Sequence, residues 1–308
     1  MSRTRPFRRS WQLFCSSLRV PVRSPRLLWF PVVTFLCTLA IACFFFAPVV
    51  LLPSGHPLNQ SRHWLDVANF WGSLTAVDGH TQRWHPNALA CLYLAAIYLV
   101  SMVCGTFFNV AFYHEILNAL AGGPVSIRAG LAFARRRLRS IVLWSLFAGG
   151  VGLALRFLEE RFGFVGRLVV RLVGVGWSVA SVFAIPVMIR EERASPLVLL
   201  RNSAATLRRT WGEALIGYVG IGLGTGLAVL GAMLFLAAGI VVAAWLHLPA
   251  LGLGAAGIGL LAVVGIGYVG NIANDIYRCA LYVYASEGVV PEPYTTELLD
   301  AAWKVRKA

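Results

Sequence analysis

The sequence predicts an all-α protein that crosses a membrane six times, with three amphipathic helices lying in the membrane surface. Three observations predict it. Only 13% of the 308 residues are charged and 58% are apolar, with a mean hydropathy of +0.71, whereas soluble domains carry about 25% charged residues. Long stretches hold no formal charge, the longest running 61 residues from 214 to 274. A basic amphipathic stripe also recurs three times, each time just ahead of an uncharged run.

The first stripe is Phe7, Trp11, Phe14 and Leu18, at i, i+4, i+7 and i+11, the spacing of one helix face. It defines an interfacial helix over 7–18, inside a 26-residue N-terminus that carries seven arginines. Pro21 and Pro25 end it, and the uncharged run 27–52 follows as the first span. At 1.5 Å per residue that run reaches about 39 Å, enough for about 30 Å of hydrocarbon with tilt. It is also much longer than the 7–15-residue core of a signal peptide, so a retained helix is expected.

Residues 53–86 form the one sizeable polar loop, expected outside the cytoplasm. Within it Ser61 is placed to cap a short helix with Trp64, Val67, Trp71 and Leu74 on one face, and Trp84 sits near the next span, where tryptophans suit the headgroup level. The loop holds His56, His63, His80 and His85 beside Asp66 and Asp78. These are metal-ligand types, but no spacing among them matches a known site, so they are weak candidates and a solvated loop is the expectation.

The second span covers 88–113 and ends in Asn109, Tyr113, His114 and Glu115. A second interfacial helix, 127–138, repeats the stripe with Ile127, Leu131, Ala134 and Leu138, ringed by Arg128, Arg135, Arg136, Arg137 and Arg139. The third span, 140–155, is short, and Arg139 and Arg156 flank it and can snorkel. A charged connector over 156–171 precedes the fourth span, 172–189, where Pro186 predicts a kink. The third interfacial helix, 199–211, carries Leu200, Ala204, Leu207 and Trp211 on one face and Arg201, Arg208 and Arg209 off it. His247 and Pro249 divide the long uncharged run into a fifth span, 215–245, and a sixth, 251–270. The whole chain, 1–308, reads as one integral membrane domain built as a surface helix plus two spans, three times over.

Six spans put both termini on one side. That side would carry 21 basic residues and the other 6, so positive-inside bias places the termini and all three surface helices in the cytoplasm. The net charge of +14 raises nucleic acid as a partner, but the arginines stand beside apolar runs, where anionic lipid headgroups are the expected contact and nucleic acid is not. Arg135, Arg136, Arg137, Arg208 and Arg209 are the candidate headgroup binders. The six cysteines form no C-x-x-C, and four lie in apolar runs, the usage of small packing residues.

No residue set matches a catalytic pattern, and no cofactor is expected. Gly252, Gly254 and Gly257 fit a dinucleotide fingerprint, but no strand precedes them and they open an apolar span. Gly220/Gly224 and Gly222/Gly226 are small-xxx-small pairs expected at helix contacts. His114-Glu115 begins a zinc-protease pattern that Asn118 breaks. The one constellation of interest is on the last helix: Tyr268, Asn271, Asp275, Arg278 and Tyr282 step by 3, 4, 3 and 4, with Asn274 adjacent. Polar groups at that depth need partners. Asp275 and Arg278 can pair with each other, and Asn109, His114, Glu115 and Asn118 lie at a matching depth on the second span. The stripe is either a polar site or a hydrogen-bonded staple between helices, and the staple is favoured.

Phe107-Phe108-Asn109, residues 158–187, residues 201–217 and residues 277–291 together resemble a family of bacterial integral membrane proteins of unknown function. The resemblance implies a six-helix bacterial inner-membrane protein. It brings no activity, cofactor or catalytic residue, and the 53–86 loop is longer than the family pattern. Two functions are therefore expected: a non-enzymatic protein acting through assembly or lipid contact at the cytoplasmic face, with a membrane-protein partner or a second copy of itself, or a permease for a small solute or lipid that uses the stripe on the sixth helix.

Overall fold

A computed structural model describes residues 5–51, 55–77, 84–86, 88–192, 194–209, 214–246 and 248–295. Eleven α-helices appear among them. They are α1 (Arg5–Arg23), α2 (Trp29–Val50), α3 (Ser61–Leu74), α4 (Ala88–Leu120), α5 (Ile127–Arg136), α6 (Leu138–Arg161), α7 (Phe164–Ala180), α8 (Ala184–Arg190), α9 (Pro196–Arg209), α10 (Ala214–Trp245) and α11 (Pro249–Glu287). A 3₁₀ turn, Pro25–Leu28, joins α1 to α2. Two three-residue strands after α3, Thr75–Val77 and Trp84–Pro86, pair antiparallel with Ala76 opposite His85. Six helical stretches among the described residues are long and apolar enough to cross a membrane, as expected.

The helices outrun the uncharged runs that announce them. The second extends to Leu120 rather than 113, and the sixth to Glu287 rather than 270. The expected connector over 156–171 is instead the ends of two helices, α6 running to Arg161 and α7 starting at Phe164, tied by an Arg171–Glu159 ion pair of 2.7 Å. The charge criterion measured the part of each helix fit for lipid, and the helices continue past it.

The buried core explains why. It draws on Val110 to Leu120 of α4, Ile272 to Val283 of α11, Phe183 to Ile189, and single residues of the short helices, such as Leu13, Val20, Ala134, Leu199 and Leu207. All lie toward the end of the molecule that carries α1, α5 and α9. At the opposite end the helices expose large apolar side chains, among them Phe44, Leu234, Val241, Leu253 and Leu261. An exposed apolar belt above a buried core is what lipid on one part and packed protein on the other require.

Local chemistry sets the breaks. Pro186 has no N–H, and its ring clashes with the carbonyl four residues back, so α7 stops at Ala180 and α8 restarts at Ala184. Ser203 of α9 fills the gap: its hydroxyl donates to the Ala180 carbonyl (2.6 Å) and accepts from Phe183 N–H (3.0 Å). Ser126 caps α5 by accepting from Ala129 N–H, and Gly288, at φ 68°, ends α11 in a left-handed turn.

Three sequence expectations are corrected. The buried face of α9 is centred on Leu199, Ser203 and Leu207; it shares Leu207 with the expected stripe, and Leu200 packs half-buried at its edge, while Trp211 lies outside the described residues. On α1 the most buried residues are Leu13, Ser16, Ser17 and Val20, while Phe14 of the expected stripe packs half-buried against the core and Leu18 is half-buried; the side chains of Phe7 and Trp11 are outside the described set. A Cβ at Gly224 or Gly226 would meet nothing within 4 Å, so these two mark no helix contact among the described residues, and the side-chain positions of Gly220 and Gly222 lie outside them. The close approaches between α10 and α11 are at Gly270 against Thr225, Gly259 against Leu236 and Gly239, whose Cβ would stand 2.7 Å from that of Ala255.

Candidate functional site

Tyr113 of α4 connects the expected pair on α11. Its hydroxyl donates to Asp275 Oδ1 (2.7 Å) and accepts from Arg278 Nη1 (2.8 Å). Asp275 and Arg278 approach only to 4.0 Å, so the tyrosine closes what would otherwise be a loose i, i+3 pair. Counting along α11, Tyr268 stands about 29 Å from Pro249 at 1.5 Å per residue, one hydrocarbon thickness. Tyr268 donates to the carbonyl of Leu28, just ahead of α2. The bridge therefore sits about two to three turns beyond the level where the lipid-facing part of the helices ends.

Beside the bridge a half-open groove of about 280 Å³ runs between α2, α4 and α11. Its polar lining is Thr34, Asn109, Tyr268, Asn271 and Asp275, and Pro31, Phe35 and Phe112 form an apolar wall. Phe35 is 65% exposed, so the groove opens sideways onto the apolar belt. Asn109 and Asn271 are exposed within it. Asn274 turns elsewhere: its Oδ1 is buried and finds no hydrogen-bond partner among the described residues.

The remaining predicted residues separate from this group. Tyr282 is buried and packs on Phe183, so it belongs to the core behind the α7–α8 break. Glu115 does not reach the stripe. Fully buried, it accepts from Ser126 N–H through Oε2 (2.7 Å) and meets His114 Nδ1 through Oε1 (3.1 Å), which fixes the start of α5 against α4. His114 lies flat on Phe133, with ring centroids 3.9 Å apart, and Asn118 donates to the Pro124 carbonyl. Of the four expected partners on α4, only Asn109 faces Asp275. Tyr113 lies four residues on, on the same helix face. That spacing was the signal for it, but a tyrosine near a membrane boundary also reads as an ordinary interfacial residue.

The arginines divide in two. Arg128, Arg135, Arg136, Arg139, Arg201 and Arg208 are exposed, and among the described residues no ion pair involves them. Arg137 is half-buried: it donates to the Ile189 carbonyl (3.4 Å), faces Glu192 (3.5 Å) and lies over the Phe133 ring. It is thus a packing arginine rather than a free headgroup ligand. The side chain of Arg209 lies outside the described residues.

Among the described residues the polar loop shows no gathering of its histidines. His63 is buried, its Nε2 lies 2.8 Å from the Val50 carbonyl at the end of α2, and its ring meets Trp64 edge-on. His80 and the His85 side chain lie outside the described residues, and no group of three metal-ligating residues occurs among those described.

At the far end of α11 the tail returns to α1. Ser17 and Tyr294 hydroxyls meet at 2.7 Å in the core, and burial pushes the Tyr294 phenol well above its ordinary range. Arg23 and Glu292 pair at the surface (3.0 Å).

A family model described as a family of unknown function, DUF6159, matches residues 88–291. No curated protein and no solved structure matches the chain.

Proposed function

The chain belongs to the DUF6159 family of unknown function, so its role is read from its own residues, and we propose that it is a non-enzymatic protein of the bacterial inner membrane. It works through lipid contact or assembly at the cytoplasmic face, where both termini lie. The supporting observation is the set of exposed arginines on α5 and α9, which find no carboxylate among the described residues. Helices that pack one face into the core while presenting guanidinium groups on the other are suited to anionic headgroups, at about 1 kcal/mol per basic residue. In this reading Tyr113, Asp275 and Arg278 are a staple that holds α4 to α11 beneath that surface.

The test is to reconstitute the full chain in mixed phosphatidylglycerol and phosphatidylcholine and to measure the anionic lipid that stays with it. Wild type should enrich phosphatidylglycerol, and the triple variant Arg135→Ala, Arg136→Ala, Arg208→Ala should lose most of that enrichment. Unchanged enrichment would reject the reading.

The groove supports a second reading, a lipid or small-solute permease. A permease must expose the groove to both sides in turn. An Asn271→Cys variant should then react with an impermeant thiol reagent from either side; labelling from one side alone rules it out.

A further inference from the structure

We propose that the groove between α2, α4 and α11 binds the primary ammonium headgroup of a membrane aminophospholipid. The inference does not rest on the arginine reading, because no arginine or lysine lines this groove.

The argument begins with which hydrogen bonds are already spent. Thr34 donates its hydroxyl hydrogen to the Phe30 carbonyl (2.9 Å), and Tyr268 donates its own to Leu28. Both therefore offer only lone pairs to anything beside them. Asp275 uses Oδ1 for Tyr113 and for its approach to Arg278, which leaves Oδ2. Asn109 and Asn271 each add an amide oxygen, and their amide N–H groups can donate to the phosphate that follows the ammonium. The polar side of the groove is thus rich in acceptors and holds one carboxylate. The ligand that complements it brings donors and positive charge.

Position selects the source of that ligand. The groove lies at the level where the lipid-facing part of α11 ends, and it opens beside exposed Phe35. A headgroup reaches it from the bilayer with its acyl chains along the apolar belt, while Pro31, Phe35 and Phe112 cover the carbon atoms next to the nitrogen. A primary ammonium has three N–H donors for these acceptors. A trimethylammonium has none, and a phosphate-only headgroup meets a carboxylate without a cation. The expected order is ethanolamine above its N-methylated forms, with choline last.

The experiment is native mass spectrometry of the full chain with palmitoyl-oleoyl phosphatidylethanolamine, its mono- and dimethyl derivatives, phosphatidylcholine and phosphatidylglycerol of the same chains. Wild type should retain phosphatidylethanolamine over phosphatidylcholine by about tenfold, the scale of one charge-assisted hydrogen bond. Retention should fall stepwise with each methyl group. Asp275→Asn, which keeps an acceptor for Tyr113, should bring the ratio near parity. Asn271→Leu and Thr34→Val, the latter also losing its bond to the Phe30 carbonyl, should each lower it; they carry the test if Asp275→Asn does not fold. The triple arginine variant should leave the ratio unchanged, which separates this site from the anionic surface. Equal retention of the two lipids overturns the proposal, as does a preference for phosphatidylglycerol that these groove variants abolish. Selectivity that survives all three variants overturns it too. Soluble phosphoethanolamine binding as tightly as the lipid would reassign the groove to a water-soluble amine and likewise overturn it.

Discussion

Tyr113 joins two charged residues of another helix through one oxygen, so its loss is felt on both. Tyr113→Phe keeps the ring and its packing but leaves Asp275 without a donor and Arg278 Nη1 without that acceptor. We expect a loss of about 1–3 kcal/mol, seen as a lower thermal midpoint in detergent, because partners left half-buried lose more than one hydrogen bond is worth. Ser203→Ala should cost a similar amount, since it strips partners from both Ala180 C=O and Phe183 N–H. Tyr294 gives a pH signature. Its phenol ionises less readily in the fold than its ordinary value of 10.0, so the stabilisation is complete below pH 10 and drains away above it, as the unfolded chain releases its proton first. A Tyr294→Phe variant should be slightly less stable at neutral pH, through loss of the Ser17 bond, yet show a flatter decline above pH 10; an equally steep alkaline limb would contradict this. None of these three roles is visible in hydropathy. Ser203 breaks an apolar stripe and Tyr113 extends one, and only the backbone break and the facing helix give them their partners.

At the scale of elements, α5 is seated by contact that leaves no room for a side chain. A Cβ on Gly130 would stand 2.9 Å from the Ala111 carbonyl oxygen and 2.9 Å from Glu115 Cγ. The first is backbone and the second belongs to the buried carboxylate that holds Ser126, so neither yields cheaply. Gly130→Ala should therefore push α5 away from α4 and destabilise by about 1–3 kcal/mol, whereas Gly150→Ala, with nothing within 4 Å, should be tolerated. If the two variants melt together, the seating of α5 is looser than these distances require. The same elements show how far sequence reasoning carries. All three basic helices were legible, since 3.6-residue periodicity survives wherever a helix has one dry face. Which face was dry was less legible: on α9 it passes through Ser203, and a polar residue satisfied by a neighbouring backbone looks, in sequence, like a gap in the stripe. Helix ends were misplaced for a related reason. Charge content marks where lipid stops, and α4 and α11 go on beyond that point into protein.

On the scale of the molecule, the six spans do two jobs at opposite ends. One end is packed through α1, α5, α8, α9 and the extensions of α4 and α11, and it holds the core. The other exposes apolar surface along α2, α10 and the first half of α11, as helices in hydrocarbon do. The number of spans was legible because it is a property of whole segments, and the expected split of 21 basic residues on one side against 6 on the other is a property of the same kind. The groove was not, because it is assembled from helices far apart in the chain; Thr34 and Asn271 are 237 residues apart. The charge asymmetry makes a prediction about orientation that no single residue carries. A fluorescent protein that matures only in the cytoplasm, fused after Ala308, should be bright, and alkaline phosphatase, which folds only outside, should be active when inserted at Leu58 and inactive after Ala308. The demanding case is the hairpin between α6 and α7. It carries Arg156, Arg161, Arg167 and Arg171 on the side expected to be poor in arginine, with Arg156 and Arg171 paired to Glu160 and Glu159. Acidic partners weigh little in setting orientation, so the hairpin can cross only if the larger charge count of the other side holds the chain. Phosphatase inserted at Gly163 should then be active in the wild type and lose activity when Arg135, Arg136 and Arg139 are changed together to glutamine. Activity that survives this change would mean that orientation is set by the N-terminal arginines before α5 is made.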